Sequence, residues 1–349
     1  MKLLETTLRD GSYAINFQFS ARDTSTLCKA LEQAGIELIE IGHGVGLRAS
    51  QSGHGTALET DEAYLKAAAD VCKKAQFGMF CIPGIARVED VDMSADLGAK
   101  FIRIGSNVTE VRDSEPFIAR ARKRGLFVCA NFMKSYASEP AEFAELAELS
   151  WKYGSQVVYI VDSAGGMLPH DVERYVDAIR RRCDAPIGFH GHNNLGLGVA
   201  NTLRAVELGA AIIDTSLQGL GRSAGNASTE MTVLALQRMN VDLKIDALAV
   251  LDAGEKYIRP LMRRSGVPSL DVVSGYAQFH SSYMSVIHKY SSKYGVDPRK
   301  LIINLCAVDR VNAPPELVER LAKELTTAED FFPARFEFDG YHGSEQSKS

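Results

Sequence analysis

Two kinds of apolar run alternate along the chain. Short, nearly unbroken stretches recur at residues 2–8, 36–41, 77–82, 101–104, 126–132, 156–161, 186–190 and 211–215, each of strand length. Between them lie longer stretches, 20–34, 62–74, 88–98, 114–124, 140–153, 169–182, 198–208 and 226–239, with apolar residues at helical spacing. The first kind predicts strands covered on both faces, the second amphipathic helices laid against them. The first helix opens on Ser20, a capping side chain, and stops at Gly35.

Eight strands, each followed by a helix, within about 240 residues predict an α/β protein built as a closed (β/α)8 TIM barrel. A doubly wound open sheet is the alternative, but it rarely needs eight regular repeats, and no GxGxxG follows the first strand. From about residue 245 to 325 the pattern is mostly helical. A barrel catalytic domain is therefore expected over 1–243 and an appended helical domain over 244–330. Residues 331–349 read as a partly disordered tail, 343–349 above all.

At 349 residues, 46% hydrophobic and 24% charged, the composition is that of an ordinary soluble globular protein. A net charge of −5 leaves no basic footprint for nucleic acid or an anionic membrane. Cys28, Cys72, Cys81, Cys129, Cys183 and Cys306 form no CxxC pair, and most sit in apolar runs, as reduced core thiols of a cytoplasmic protein would. No signal-peptide pattern opens the chain, and no apolar run nears the roughly 20 residues of a membrane helix.

In such a barrel the C-terminal ends of the strands share one face, which carries the active site. The polar residues expected there are Arg9 and Asp10, His43, Ser106 and Asn107, Asn131, Asp162 and Ser163, His190 and His192, and Asp214, Ser216 and Gln218. Gly11 predicts a turn directly after Arg9-Asp10. In an extended segment, residues i and i+2 point the same way, so His190 and His192 face one side. With Asp10 they offer two nitrogens and one oxygen to a divalent cation, leaving positions open. Without a nearby cysteine the set suits Mn2+ or Mg2+, with Co2+, Zn2+ or Fe2+ as alternatives. The plainer reading of Arg9-Asp10 is an ion pair closing a loop. His43 is expected to line the pocket or to hydrogen-bond its loop, and Asp214 to orient a ligand histidine. The glycines of 219–225 suit either a phosphate cradle or close backbone packing beside the site.

These residues carry a resemblance. Thr7-Leu8-Arg9-Asp10-Gly11 and His190-x-His192-Asn193 are similar to the metal-dependent barrels that include hydroxymethylglutaryl-CoA lyase and isopropylmalate synthase. Gly42-His43-Gly44-x-Gly46-Leu47, residues 159–167 (YIVDSAGGM), 194–201 (NLGLGVAN) and 216–227 (SLQGLGRSAGNA) resemble one branch, the pyruvate-specific 4-hydroxy-2-oxovalerate aldolase family. With Gly275-Tyr276-Ala277 and residues 293–297 (KYGVD) the likeness covers almost the whole chain.

The resemblance implies retro-aldol cleavage of a 4-hydroxy-2-oxo acid to pyruvate and an aldehyde through a metal-bound pyruvate enolate. By position, Asp10, His190 and His192 would hold the metal, most simply Mn2+, and the 2-oxo acid would chelate it. Arg9 would stabilise the enolate, and Ser163 would bind the substrate carboxylate or keto oxygen. A homodimer, and an acylating aldehyde dehydrogenase partner against the helical domain, are further implications.

One pair departs from the family. The family has a histidine, taken as its general base, three positions after the metal aspartate; here that position is Tyr13. The family's helical domain supplies a tyrosine before a Ser-Ser pair; here that position is His280, before Ser281-Ser282. Either the two roles have been exchanged, with His280 as base and Tyr13 orienting the substrate hydroxyl, or the pocket takes another 2-oxo acid. An unperturbed histidine near pKa 6.5 suits the base; a tyrosine near 10 does not. A Claisen-type acyl-CoA lyase or synthase is the alternative activity, though residues 220–226 (LGRSAGN) lack the Gly-Glu-Arg-x-Gly-Asn form of the synthases. A barrel that has lost activity and serves a partner is the third reading.

Overall fold

Eight parallel strands pair in chain order and close: β1 (Lys2–Glu5), β2 (Leu38–Ile41), β3 (Gln76–Cys81), β4 (Phe101–Asn107), β5 (Phe127–Met133), β6 (Val157–Asp162), β7 (Ile187–Gly191) and β8 (Ile212–Thr215), which returns to β1. The structure is a computed structural model that describes residues 1–262, 268–325 and 338; apart from Phe338, the tail expected over 331–349 lies outside the described residues. The helices α1 (Ala21–Gln33), α2 (Asp61–Val71), α3 (Val88–Asp96), α4 (Glu115–Lys123), α5 (Pro140–Tyr153), α6 (Pro169–Arg182), α7 (Gly198–Glu207) and α8 (Thr229–Arg238) follow the strands one by one. This is the predicted (β/α)8 barrel.

Strand periodicity sorts the residues. Leu3, Ile39, Ile41, Ile102, Ile104, Val128, Val158, Ile160, Phe189 and Ile213 belong to the large apolar layer shared with the helices. Leu4, Leu38, Phe101, Cys129, Val157, Tyr159 and Ile212, on alternate positions, form a separate small cluster. Ser20 caps α1 as predicted: its side chain accepts from the Asp23 N–H, and the Asp23 carboxylate accepts from Ser20.

The first strand is shorter than its apolar run. β1 stops at Glu5 because the Thr6 carbonyl accepts from the N–H groups of Arg9, Asp10 and Gly11, winding residues 10–15 into a tight 3-10 turn. Gly11 is not where the chain reverses. Asn16 and Phe17 take the positive φ values, 56° and 62°. Gly11 is small because a Cβ there would lie 3.1 Å from the Leu220 side chain.

Beyond the barrel, α9 (Ala247–Ala253) adds Val250 and Ala253 to the large apolar layer. Four further helices, α10 (Ser269–Ala277), α11 (Met284–Tyr294), α12 (Pro298–Val308) and α13 (Pro315–Glu324), share their own core of Leu270, Met284, Ile287, Leu301, Leu305 and Val318. They meet the barrel over the strand exits: Asn194 donates to the Asp271 carbonyl (3.0 Å), and the Lys134 Nζ to the Val311 carbonyl (2.7 Å). Among the described residues no helix is long and apolar enough to cross a membrane.

Candidate active site

Asp10, His190 and His192 come together from opposite ends of the barrel sequence. Their ligand atoms lie within 4.8 Å of one another, and all three residues are buried. Each histidine gives its Nδ1 to the protein, His190 to the Asp214 carboxylate at 2.9 Å and His192 to the Gly225 carbonyl at 3.2 Å. Both partners can only accept, so both Nδ1 atoms carry hydrogen, which leaves Nε2 as the metal-binding atom of each ring. Burial pushes His192 down to about 3 against the pull of Asp10, so its ring is neutral. Burial alone would raise Asp10, but Arg9, then the two histidines and Asn226, hold it well below the carboxylate range. An ionised carboxylate and two imidazoles anchored through their Nδ1 atoms are a donor set that a divalent cation can use.

The two sides of this triad are joined through the barrel interior. Arg9 donates to Asp10 (2.8 Å) and to Glu40 (2.7 Å); Arg103 donates to Glu40 (2.9 Å) and to Asp214; Asp214 accepts from His190. Three carboxylates and two guanidiniums alternate in sign along this arc and sum to −1, the charge that favours a cation at its ends. None of these five is more than 6% exposed. Breaking one link would strand a buried charge. Asp214 therefore sits where it was expected, behind His190.

A small cavity of about 40 Å³ opens above the triad, lined by Arg9, Asp10, Tyr13, Asn131, Ser163, His190, His192, Arg222 and His280 together with apolar side chains. Tyr13 and His280, 267 positions apart in the chain, thus share one cavity. The Arg222 guanidinium lies between them, 4.3 Å above the centre of the Tyr13 ring, with Nη1 2.9 Å from the Nε2 of His280. The same Nη1 is 3.4 Å from the Nδ1 of that imidazole, which lies 2.7 Å from the Ser282 hydroxyl. Burial, then Arg222, Lys134 and His192, push His280 well below its ordinary 6.5. Burial raises Tyr13 above its ordinary 10. The Ser163 hydroxyl accepts from the Lys134 backbone N–H (2.9 Å), leaving its own hydrogen to give.

Other strand-exit residues stand apart from this cavity. His43 is tied to its loop: Nδ1 accepts from the Val45 N–H (3.0 Å), Nε2 meets the Gly55 carbonyl (3.1 Å), and the ring stacks on Phe17. Burial takes it down to about 4. Asp162 accepts from the Gly166 and Met167 N–H groups and shapes its turn. Gln218 is paired with Glu230. The sequence reading passed over Glu40, Arg103, Arg222 and Asn226, whose amide donates to Asp10 at 2.7 Å. A signal for the first two existed: Glu40 and Arg103 are charges within apolar strands, two positions beyond the interior residues Leu38 and Phe101. Arg222 had none, being one basic residue in a glycine-rich loop.

The sequence model of the HMGL-like family matches residues 1–256. The 4-hydroxy-2-oxovalerate aldolase of Carboxydothermus hydrogenoformans is 36% identical over 329 residues, 94% of this chain and 98% of the relative. That of Pelotomaculum thermopropionicum is 37% identical over 327 residues, covering 93% and 96%. The carboxyl transferase domain of Rhizobium etli pyruvate carboxylase superposes with a TM-score of 0.77 over 93% of this chain and 61% of that one, at 15% identity, which shares the fold. The chain belongs to the HMGL-like family and groups there with the 4-hydroxy-2-oxovalerate aldolases.

Proposed function

We propose that this protein is a divalent-metal-dependent carbon–carbon lyase that cleaves a 4-hydroxy-2-oxo acid to pyruvate and an aldehyde, or joins the two. The observation that carries the reading is the buried triad of Asp10, His190 and His192, with Arg9 bonded to its carboxylate in the same cavity. A cation held there would act as a Lewis acid on the 2-keto oxygen. We take that cation as Mn2+ from the family resemblance; the donors themselves also accept Mg2+, Co2+, Zn2+ or Fe2+.

The protein's own groups divide the remaining work. Ser163 donates its hydroxyl hydrogen to the substrate carboxylate. Arg9, locked by Glu40 and Asp10, faces the oxygen on which charge grows as the C3–C4 bond breaks. His280 takes the proton of the 4-hydroxyl at Nε2, the ring nitrogen that lies 2.9 Å from the Nη1 of Arg222. Burial, then Arg222, keep that imidazole neutral at pH 7, in the form that can accept, and make it a weaker base than the unperturbed histidine expected from the sequence. Tyr13, kept protonated, donates to the same substrate hydroxyl and orients it. The family's histidine and tyrosine have in this reading exchanged places while serving the same atom.

The reading extends to a cytoplasmic homodimer, with an acylating aldehyde dehydrogenase able to receive the aldehyde. Val272 and Tyr276 on α10 and Ile303 and Val308 on α12 are exposed apolar side chains that such contacts would use. The reaction itself is tested by exchange of the pyruvate methyl protons with D2O, followed by mass spectrometry without coenzyme A. Exchange is expected with Mn2+ and should stop on chelation. No exchange at saturating metal would overturn the assignment.

A further inference from the structure

One polar side chain of the cavity has no part in the chemistry above. Asn131, on β5, lines the cavity with the triad, Arg9 and Ser163, and is only 2% exposed. One end of its amide is held: Oδ1 accepts from the Nε of Arg103 at 3.2 Å. A guanidinium can only donate, so the oxygen belongs against Arg103 and Nδ2 is the end left to the cavity. Among the described residues that Nδ2 has no hydrogen-bond acceptor, although it carries two hydrogens. A buried donor left in this state costs stability until something accepts from it.

Resting on the proposed aldolase reading, we propose that Asn131 is a second donor to the carboxylate of the 2-oxo acid, working beside Ser163. The other acceptors of the substrate are already served in that reading. Arg9 faces the keto oxygen, and Tyr13 and His280 meet the 4-hydroxyl. The carboxylate has Ser163 alone, and an ionised carboxylate accepts several hydrogen bonds. The position of Asn131 agrees. β5 and β6 are neighbours, with Asn131 paired to Tyr159. Their exits are also tied to each other: Lys134, three residues after Asn131, gives its backbone N–H to the Ser163 hydroxyl oxygen at 2.9 Å. Met133 and Val161, two positions further along each strand, line the cavity as apolar wall. In such surroundings a charge-assisted N–H···O bond is stronger than in water. The orientation is set in advance as well. Arg103 is locked by Glu40 and Asp214, and turning the amide over would set its two N–H groups against a guanidinium.

The test is calorimetric titration of pyruvate into the Mn2+-loaded enzyme and two variants. Asn131→Leu removes the donor without adding charge. Asn131→Asp keeps an oxygen for Arg103, which holds the new carboxyl ionised, but puts an acceptor where the donor was. Each should weaken pyruvate binding by roughly 10- to 100-fold. Direct titration of Mn2+ should show no loss of metal affinity in Asn131→Asp. In aldol addition, the KM for pyruvate should rise in both variants and the KM for propanal should not. Pyruvate bound by either variant as tightly as by the wild type would leave the residue as an anchor for Arg103 and overturn the proposal. So would a KM that rises for propanal and not for pyruvate, or a loss of pyruvate matched in Asn131→Asp by an equal loss of Mn2+. Pyruvate exchange keeps the two readings apart. If the wild type fails to exchange, the aldolase assignment falls and takes this one with it; exchange in the wild type, with pyruvate affinity unchanged in the variants, removes the role of Asn131 alone.

Discussion

At the scale of single residues, the departure from the family lies in one pair, and the pair meets. Tyr13 and His280 face the same cavity across Arg222. His280→Ala should lower kcat for cleavage by about 10²- to 10³-fold, read by coupling pyruvate release to lactate dehydrogenase. Tyr13→Phe keeps the ring beneath Arg222 and loses only a hydroxyl, so a fall of about 10-fold is expected. Unchanged turnover in His280→Ala with metal still bound would remove it as the base. Asp214 acts one step back: it fixes the hydrogen on the Nδ1 of His190 and neutralises Arg103. Asp214→Asn should weaken metal binding about 10- to 100-fold in direct titration. The ligands themselves were legible because a His-x-His at a strand exit has few other uses beside an Arg-Asp. Arg222 and Asn226 were not, since their relevance depends on where a loop folds back.

At the scale of elements, the loop from β8 to α8 is the part whose shape serves the site. Its polar backbone is used internally: Gly225 N–H donates to the Arg222 carbonyl, Asn226 N–H to Gly219, and Arg222 N–H to Asp10. This is the close backbone packing that the glycines allowed, in place of a phosphate cradle. Gly225 sits at φ 88°, and a Cβ there would lie 2.1 Å from the Gly219 carbonyl oxygen. Its own carbonyl receives the Asn193 N–H and the Nδ1 of His192. Gly225→Ala should therefore cost about 1–3 kcal/mol of stability in urea unfolding and loosen metal binding with it. A variant as stable as the wild type, with metal affinity unchanged, would contradict this. Strand and helix positions were readable from periodicity. The early end of β1 was not, because the Thr6 carbonyl that captures three successive amides leaves no mark in the apolar pattern.

At the scale of the whole molecule, Lys134 ties the barrel to the C-terminal helices. Its Nζ donates to the Tyr283 hydroxyl (3.1 Å) and the Val311 carbonyl (2.7 Å). Burial pushes this amine from its ordinary 10.5 down to about 7. Below pH 7 both folded and unfolded chains hold the proton, and the folded state bears the full cost of a buried cation. Between about pH 7 and 10 the folded chain releases the proton while the unfolded chain retains it, so this group makes stability rise with pH. Lys134→Met should flatten that rise in urea unfolding measured across the same range. An identical slope in the variant would refute the assignment.

The sequence alone determined the eightfold alternation, and with it the barrel, because burying a strand on both faces and a helix on one leaves periodic marks in a single chain. It also marked Asp10, His190 and His192, whose chemistry is rare enough to be noticed singly. What only the tertiary structure decided is connection. The arc from Asp10 through Arg9, Glu40, Arg103 and Asp214 to His190, and the meeting of Tyr13, Arg222 and His280, join residues far apart in the chain. Closing the barrel brings the first strand beside the eighth and lays the appended helices over the strand exits. Side-chain direction and the partner of each buried charge follow from that closure, and no local pattern encodes them.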